Sequence, residues 1–302
     1  MRFFLPLMLL AFWSCEKDDP TVADTFIIRG QAELEAALPE LRRAERIESL
    51  QLFGIEETDL RFLEHVRYIG HLILSHHDVL TSLDGLENLE AIGQLHLGVM
   101  RKLENVDALA GVLIEDGIRI SNCRQLRGVT LSTAGTLDAI SISTSDSLKS
   151  VNLPSVRIVR GPVSIADNRS LHTIALSQLQ AVEDKLFISS LPALRSIKLG
   201  PAPVEVGSLA VQQSSGLADL SGMEGLRRVR EMLTVRVMPQ LTNLTALNET
   251  VVEGSMRLSG ISRAALCTAS GTIERSSLAS LWASTADHEQ FDSRQQVLEA
   301  CR

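Results

Sequence analysis

The sequence predicts a mostly β protein: a parallel solenoid of about ten coils, residues 50–266, with helical caps at both ends. Three observations predict it. First, ten apolar-x-apolar steps recur along the chain, from Leu50–Leu52, Leu72–Leu74 and Leu95–Leu97 to Leu233–Val235 and Met256–Leu258. Their period, about 23 residues, lies in the range that marks stacked repeats, because no single unit can bury its apolar face alone. Second, a further pair of apolar residues follows each step at fixed offsets, as in Leu80 and Leu83, Leu148 and Val151, or Leu171 and Ile174. Third, Pro154, Gly200, Pro201, Pro203 and Gly222 fall in the segments that return to the next step. Proline in a helix interior costs about 3 kcal/mol. The returns are therefore expected to be extended or single-turn.

In order along the chain, residues 1–14 read as an export signal. Arg2 supplies the positive start, and Phe3 to Trp13 is an apolar run. That run is too short to span a bilayer, which takes roughly 20 residues of helix, and a cleaved signal fits it better. Ser14-Cys15 resembles the end of a bacterial lipobox, which implies lipidation of Cys15. Glu16-Lys17-Asp18-Asp19 resembles the acidic tag of Bacteroidetes lipoproteins, which implies display on the outer face of the outer membrane, with periplasmic retention as the alternative. Residues 15–25 then act as an acidic tether. Residues 26–49 are expected to form the first cap, a strand from Phe26 and a helix over Ala32–Arg43 that is rich in Ala, Leu and Glu.

In the repeats the two apolar residues of each step point inward and the middle one outward, since side chains alternate across a strand. The pair eight and eleven residues on forms a second inner wall. The stretch from Leu80 through Asp84-Gly85-Leu86-Glu87 to Leu97 resembles a unit of the receptor L-domain family, the leucine-rich β-helical module of receptor ectodomains, and Gly222-Met223-Glu224-Gly225-Leu226 echoes it. The resemblance covers roughly residues 46 to 266. It implies a fold more than a ligand, because one fold hosts many functions. It also implies asparagines near the turn after each strand; Asn122 and Asn168 fit, and Val99 and Val237 occupy similar places.

Residues 267–302 are expected to form the second cap, helical over Ser277–Cys301 with Asp292 or Ser293 as N-cap. Cys267 stands where earlier units carry an apolar residue, and Cys301 lies at the end. A Cys267–Cys301 disulfide would tie the last helix over the stack; the alternative is two buried free thiols. Cys123, several units away, is left as a free thiol at a turn.

A chain of net charge −8 without a basic cluster is a poor nucleic-acid binder. His71, His76, His77 and His96 crowd two units, but neighbours in an extended turn point apart, so they read as surface residues and no metal site or cofactor is expected. No phosphate loop, His-Glu-x-x-His or Gly-x-Ser-x-Gly is present, and no enzyme is expected. The outward column of the strands supplies the binding-face candidates His96, Arg119, Phe187 and Arg257. The expected partner is a protein or glycan, bound by a receptor-like or adhesive module whose only membrane contact is its lipid anchor. A structural envelope spacer and a glycan-capturing surface lipoprotein are the alternatives.

Overall fold

The structure, a computed structural model, describes residues 22–201 and 203–302. The export signal, Cys15 and the acidic tag lie outside the described residues. Among the described residues strand outweighs helix, 44% to 14%. Twelve strands recur with the repeat: β1 (Val22–Arg29), β2 (Arg46–Phe53), β3 (Tyr68–His77), β4 (Ala91–Met100), β5 (Leu113–Ser121), β6 (Ala139–Ser143), β7 (Val163–Ala166), β8 (Ala181–Ser189), β9 (Val204–Gln212), β10 (Leu226–Arg236), β11 (Ser255–Ile261) and β12 (Ser280–Thr285). They lie side by side in chain order, every adjacent pair parallel. Short pieces such as Ile158–Val159 and Val251–Val252 lengthen the same ladder, giving a sheet of 17 strands. A second parallel sheet of four strands, Gly128–Thr130, Ser150–Asn152, Thr173–Leu176 and Ser196–Leu199, forms on the return legs of the middle units.

The apolar steps explain both sheets. Leu50 pairs with Leu72, Leu72 with Leu95 and Leu95 with Ile118, so each step stacks on its counterpart one unit away. Their inward side chains are almost wholly buried: Leu72, Leu74, Leu97 and Ile120 are all 0% exposed. The second wall is equally dry at Leu80, Leu148 and Leu171, and Val129, Val151, Ile174 and Ile197 centre the strands of the smaller sheet. The two walls share one continuous core.

A turn with one geometry follows the step in each unit. Gly54, His76, Val99, Asn122, Thr144, Asp167, Ser190, Gln213, Val237 and Gly260 all have φ between 51° and 61°. Valine and threonine are strained there, because Cβ crowds the backbone in the left-handed region. The next residue is always buried: Ile55, His77, Met100, Cys123, Ser145, Asn168, Leu191, Ser214, Met238 and Ile261. This corrects the asparagine expectation. Asn122, Val99 and Val237 stand in the left-handed column, and only Asn168 enters the buried one. There its Nδ2 donates to Ile142 O (3.0 Å) and Ala166 O (2.9 Å), while Oδ1 accepts from Ser145 N at 2.9 Å. Ser145 Oγ accepts from Cys123 N (3.2 Å), and His77 Nε2 meets Leu52 O at 3.0 Å. Unlike side chains thus satisfy the turn backbone of the unit beside them, which buried N–H and C=O groups require.

The motif that carried the family resemblance has a local reason. Gly85 (φ 107°) and Gly222 (φ 92°) each donate their N–H to the glutamate two residues on, Glu87 at 2.7 Å and Glu224 at 2.8 Å. A Cβ at Gly85 would collide with Leu60 O, and one at Gly222 with Ile197 O. Only glycine lets these turns approach the preceding unit so closely.

The two ends differ from expectation. The first helix, α1 (Gln31–Leu41), forms nearly where predicted and buries Leu34 and Leu41. It does not cap a stack, because β1 is itself a registered strand: Phe26 pairs with Leu50 and Ile28 with Leu52. α1 is the return leg from β1 to β2. Residues 22–25, expected in the tether, belong to β1, with Val22 opposite Arg46. At the far end, α2 (Arg263–Thr268) and α3 (Ser270–Arg275) form the return leg from β11 to β12. The helix expected over Ser277–Cys301 is largely absent. β12 and the antiparallel piece Gln290–Phe291 occupy most of it, leaving only α4 (Arg294–Ala300). The cause is alternation: Leu281 and Ala283 repeat the inward step opposite Met256 and Leu258. Packing there overrides the helical propensity of the segment. Ser293 caps α4 as expected, its Oγ accepting from Gln296 N. Cys267 and Cys301 come to disulfide distance, with Cα atoms 5.2 Å apart.

Candidate functional site

The site is built on the outward face of the large sheet, where three registered columns lie beside one another. The middle column contains the four candidates His96, Arg119, Phe187 and Arg257. His96 pairs directly with Arg119, whereas Phe187 and Arg257 lie on β8 and β11. At about 4.8 Å per strand, Arg119 and Phe187 are roughly 14 Å apart. The candidates therefore form one patch with two further outposts, not a single cluster.

His96 and Arg119 line a shallow cavity of about 330 Å³ together with His71, Gln94, Ser141 and Asp138. The strand alternation aims His96 and Arg119 outward, and small neighbours keep the floor low. Gly117 and Ala139 are two of them; on the other side of His96, a Cβ at Gly98 would stand 3.2 Å from Nε2, so glycine leaves the imidazole its space. Burial, and secondarily the Arg119 charge, hold the His96 pKa below the ordinary histidine value. Asp138 is held by Arg160 at 3.2 Å. Arg119 has no such carboxylate within salt-bridge distance among the described residues.

Two aromatic–cation pairs lie farther along. Lys185 Nζ sits 4.6 Å from the Phe187 ring centre, and the Arg257 guanidinium sits 5.0 Å from the Trp282 ring centre. Trp282 is the residue the sequence reasoning missed. It pairs with Arg257 across β11 and β12, and the signal that places it is the alternating Leu281-Trp282-Ala283 within a segment that reads as helical by composition.

The four histidines do not form one group: His71 and His96 share the cavity wall, and His76 and His77 lie at the turn. His76 is exposed, with Nδ1 2.9 Å from Ser75 Oγ. His77 is fully buried, which corrects its reading as a surface residue; it sits in the column after the turn, and burial lowers its pKa. Among the described residues no group of three or more His, Cys, Asp or Glu is placed to hold a metal ion. Cys123 is free and buried, and burial pushes its thiol pKa up to about 12, so it stays protonated at neutral pH. Among the described residues no helix is long and apolar enough to cross a membrane.

Comparison with known protein families, with characterised proteins and with solved structures found no match.

Proposed function

We propose that the protein is a non-enzymatic binding module, receptor-like or adhesive, held at the cell envelope by a lipid on Cys15. In this reading the repeats wind as a solenoid of the receptor L-domain kind, and the outward face of the large sheet receives an extended macromolecule. The observation that carries the reading is the register of that face. Twelve parallel strands keep the outward residues beside and between their apolar steps in register from unit to unit. Eleven strand-to-strand steps of about 4.8 Å make a surface on the order of 50 Å long. Such a length suits an extended ligand better than the compact apolar pocket of a small-molecule enzyme does.

The lipid anchor and outer-face address are supported by the Phe3–Trp13 run, Ser14-Cys15 and Glu16–Asp19. The test is protease accessibility on intact cells for the wild type beside Cys15→Ser. Loss of the wild-type protein, with release of the variant, is the expected result. Protection until the outer membrane is opened would leave only a periplasmic role and overturn the adhesive reading.

A further inference from the structure

We infer that the sheet face binds an acidic glycan, recognising sugar rings that carry a carboxylate; the inference rests on the binding reading above. Three observations lead to it.

The first is the distribution of charge. The chain is acidic overall, with 37 Asp and Glu against 29 Lys and Arg. Yet the three outward columns of β1 to β12 contain no carboxylate. They do contain Arg29, Arg119, Lys185, Arg236 and Arg257. Random placement in an acidic chain would put several carboxylates on so large a face.

The second is pairing. Nine arginines elsewhere hold a carboxylate within 4.0 Å, including Arg101, Arg127 and Arg160. None of the five cations on the face does so among the described residues. The one carboxylate on the wall of the Arg119 cavity, Asp138, is engaged by Arg160. The charges of the face are left available to a ligand.

The third is what stands beside them. Lys185 with Phe187, and Arg257 with Trp282, each put a cation and an aromatic ring about 5 Å apart, within one sugar ring's width. A uronate ring has the matching pair of features, an apolar C–H face and a carboxylate. Between Arg119 and Phe187 the middle column is Ser141 and Ser164, a low hydroxyl-bearing floor on which a narrow polymer can lie. A folded acidic protein would be expected to meet a more aromatic and apolar centre than this one.

The experiment is titration of the whole mature protein with polygalacturonate, with its fully methyl-esterified form, and with poly-glutamate of similar length. Polygalacturonate is expected to bind saturably. Esterification or 0.5 M salt should weaken it at least tenfold, and Arg119→Ala with Lys185→Ala should do the same. Arg127→Ala, on the return-leg flank, should leave it unchanged and serves as the folding control. Absence of polygalacturonate binding overturns the inference. Equal binding of poly-glutamate overturns the sugar assignment. Equal binding of the esterified polymer, weakened by the Arg119 and Lys185 substitutions, overturns the requirement for acid but keeps the face as the binding surface. Binding that ignores those substitutions overturns the binding reading of the face as well.

Discussion

The return-leg flank and the sheet face use the same residue types to opposite ends. On the return legs, charges are consumed by the neighbouring unit: Arg101 meets Asp78 at 3.2 Å and Arg127 meets Glu104 at 3.1 Å, each across one repeat. On the face, Arg119, Lys185 and Arg257 meet no carboxylate among the described residues, and two of them lie against aromatic rings instead. Cross-repeat pairing marks one flank, and on the other the cations are left without a carboxylate among the described residues. Neither set of charges holds the protein together, since exposed ion pairs contribute about 0 to 1 kcal/mol each. The apolar walls do.

Substitutions test this contrast, and the largest effect should come from the core between the two surfaces. Leu171 is a fully buried side chain of the second wall. Leu171→Ala should cost about 2 to 5 kcal/mol, read as a lower urea midpoint. An unchanged midpoint would remove Leu171 from the core. Next comes the clasp at the far end, which joins positions separated by 34 in the sequence. Cys301→Ser opens it and should cost roughly 3 to 4 kcal/mol by the chain-entropy argument. Adding reductant to the wild type should reproduce that loss, and no effect of either treatment would mean that the two thiols are not bridged.

A third test is pH. Burial lowers the His77 pKa in the fold. The unfolded value is about 6.5. The unfolded chain therefore binds the proton more readily, so the stability contributed is complete above about pH 6.5 and is lost as the pH falls from there through the lowered folded value. The surroundings include His76, which opposes protonation, and Asp78 with the Leu52 and Ile55 carbonyls, which favour it; desolvation is the largest effect. His77→Met should flatten part of the acid-side fall in melting temperature. His96 shifts in the same direction, so a fall of unchanged steepness would assign it to that residue instead of His77.

Smaller still is the left-handed column. Val237 is a β-branched residue at φ 52° and is 45% exposed. Val237→Asn should relieve strain without emptying the core, for a gain of about 1 kcal/mol. A lower melting temperature would show that the valine is held by packing. The smallest effect addresses the contrast directly. Arg127 pairs with Glu104, whereas Arg119 has no such partner among the described residues. Arg127→Ala should cost up to about 1 kcal/mol of stability, and Arg119→Ala should cost almost none. An equal loss at both would mean that Arg119, too, serves the fold.

The repeated sheet was legible because its two inward residues are always apolar and mostly large, so Leu72–Leu74 and Ile140–Ile142 announce their strands. The terminal strands were less so. The strand expected from Phe26 is there but begins four residues earlier, at Val22, whereas Leu281 and Ala283 sit in a segment whose helical composition outweighs a single apolar step. The buried column after each turn was not legible at all. His77, Met100, Cys123 and Asn168 share no chemistry beyond fitting a tight space and, where polar, reaching the backbone of another unit. His96 and Arg119 follow from simple alternation. Trp282 does not, because the segment around it reads as helix.

The antiparallel piece Gln290–Phe291 has a consequence for assembly. A parallel ladder is a template that another copy of the same chain could lengthen, and exposed sheet edges invite such growth. At the last strand this protein folds its own tail back in the reversed direction, pairing Phe291 with Ala283 and Gln290 with Ser284. A second molecule arriving in the parallel sense finds those two positions already taken by a strand of the wrong polarity. The tail thus closes these two positions of the last strand to growth in the parallel sense.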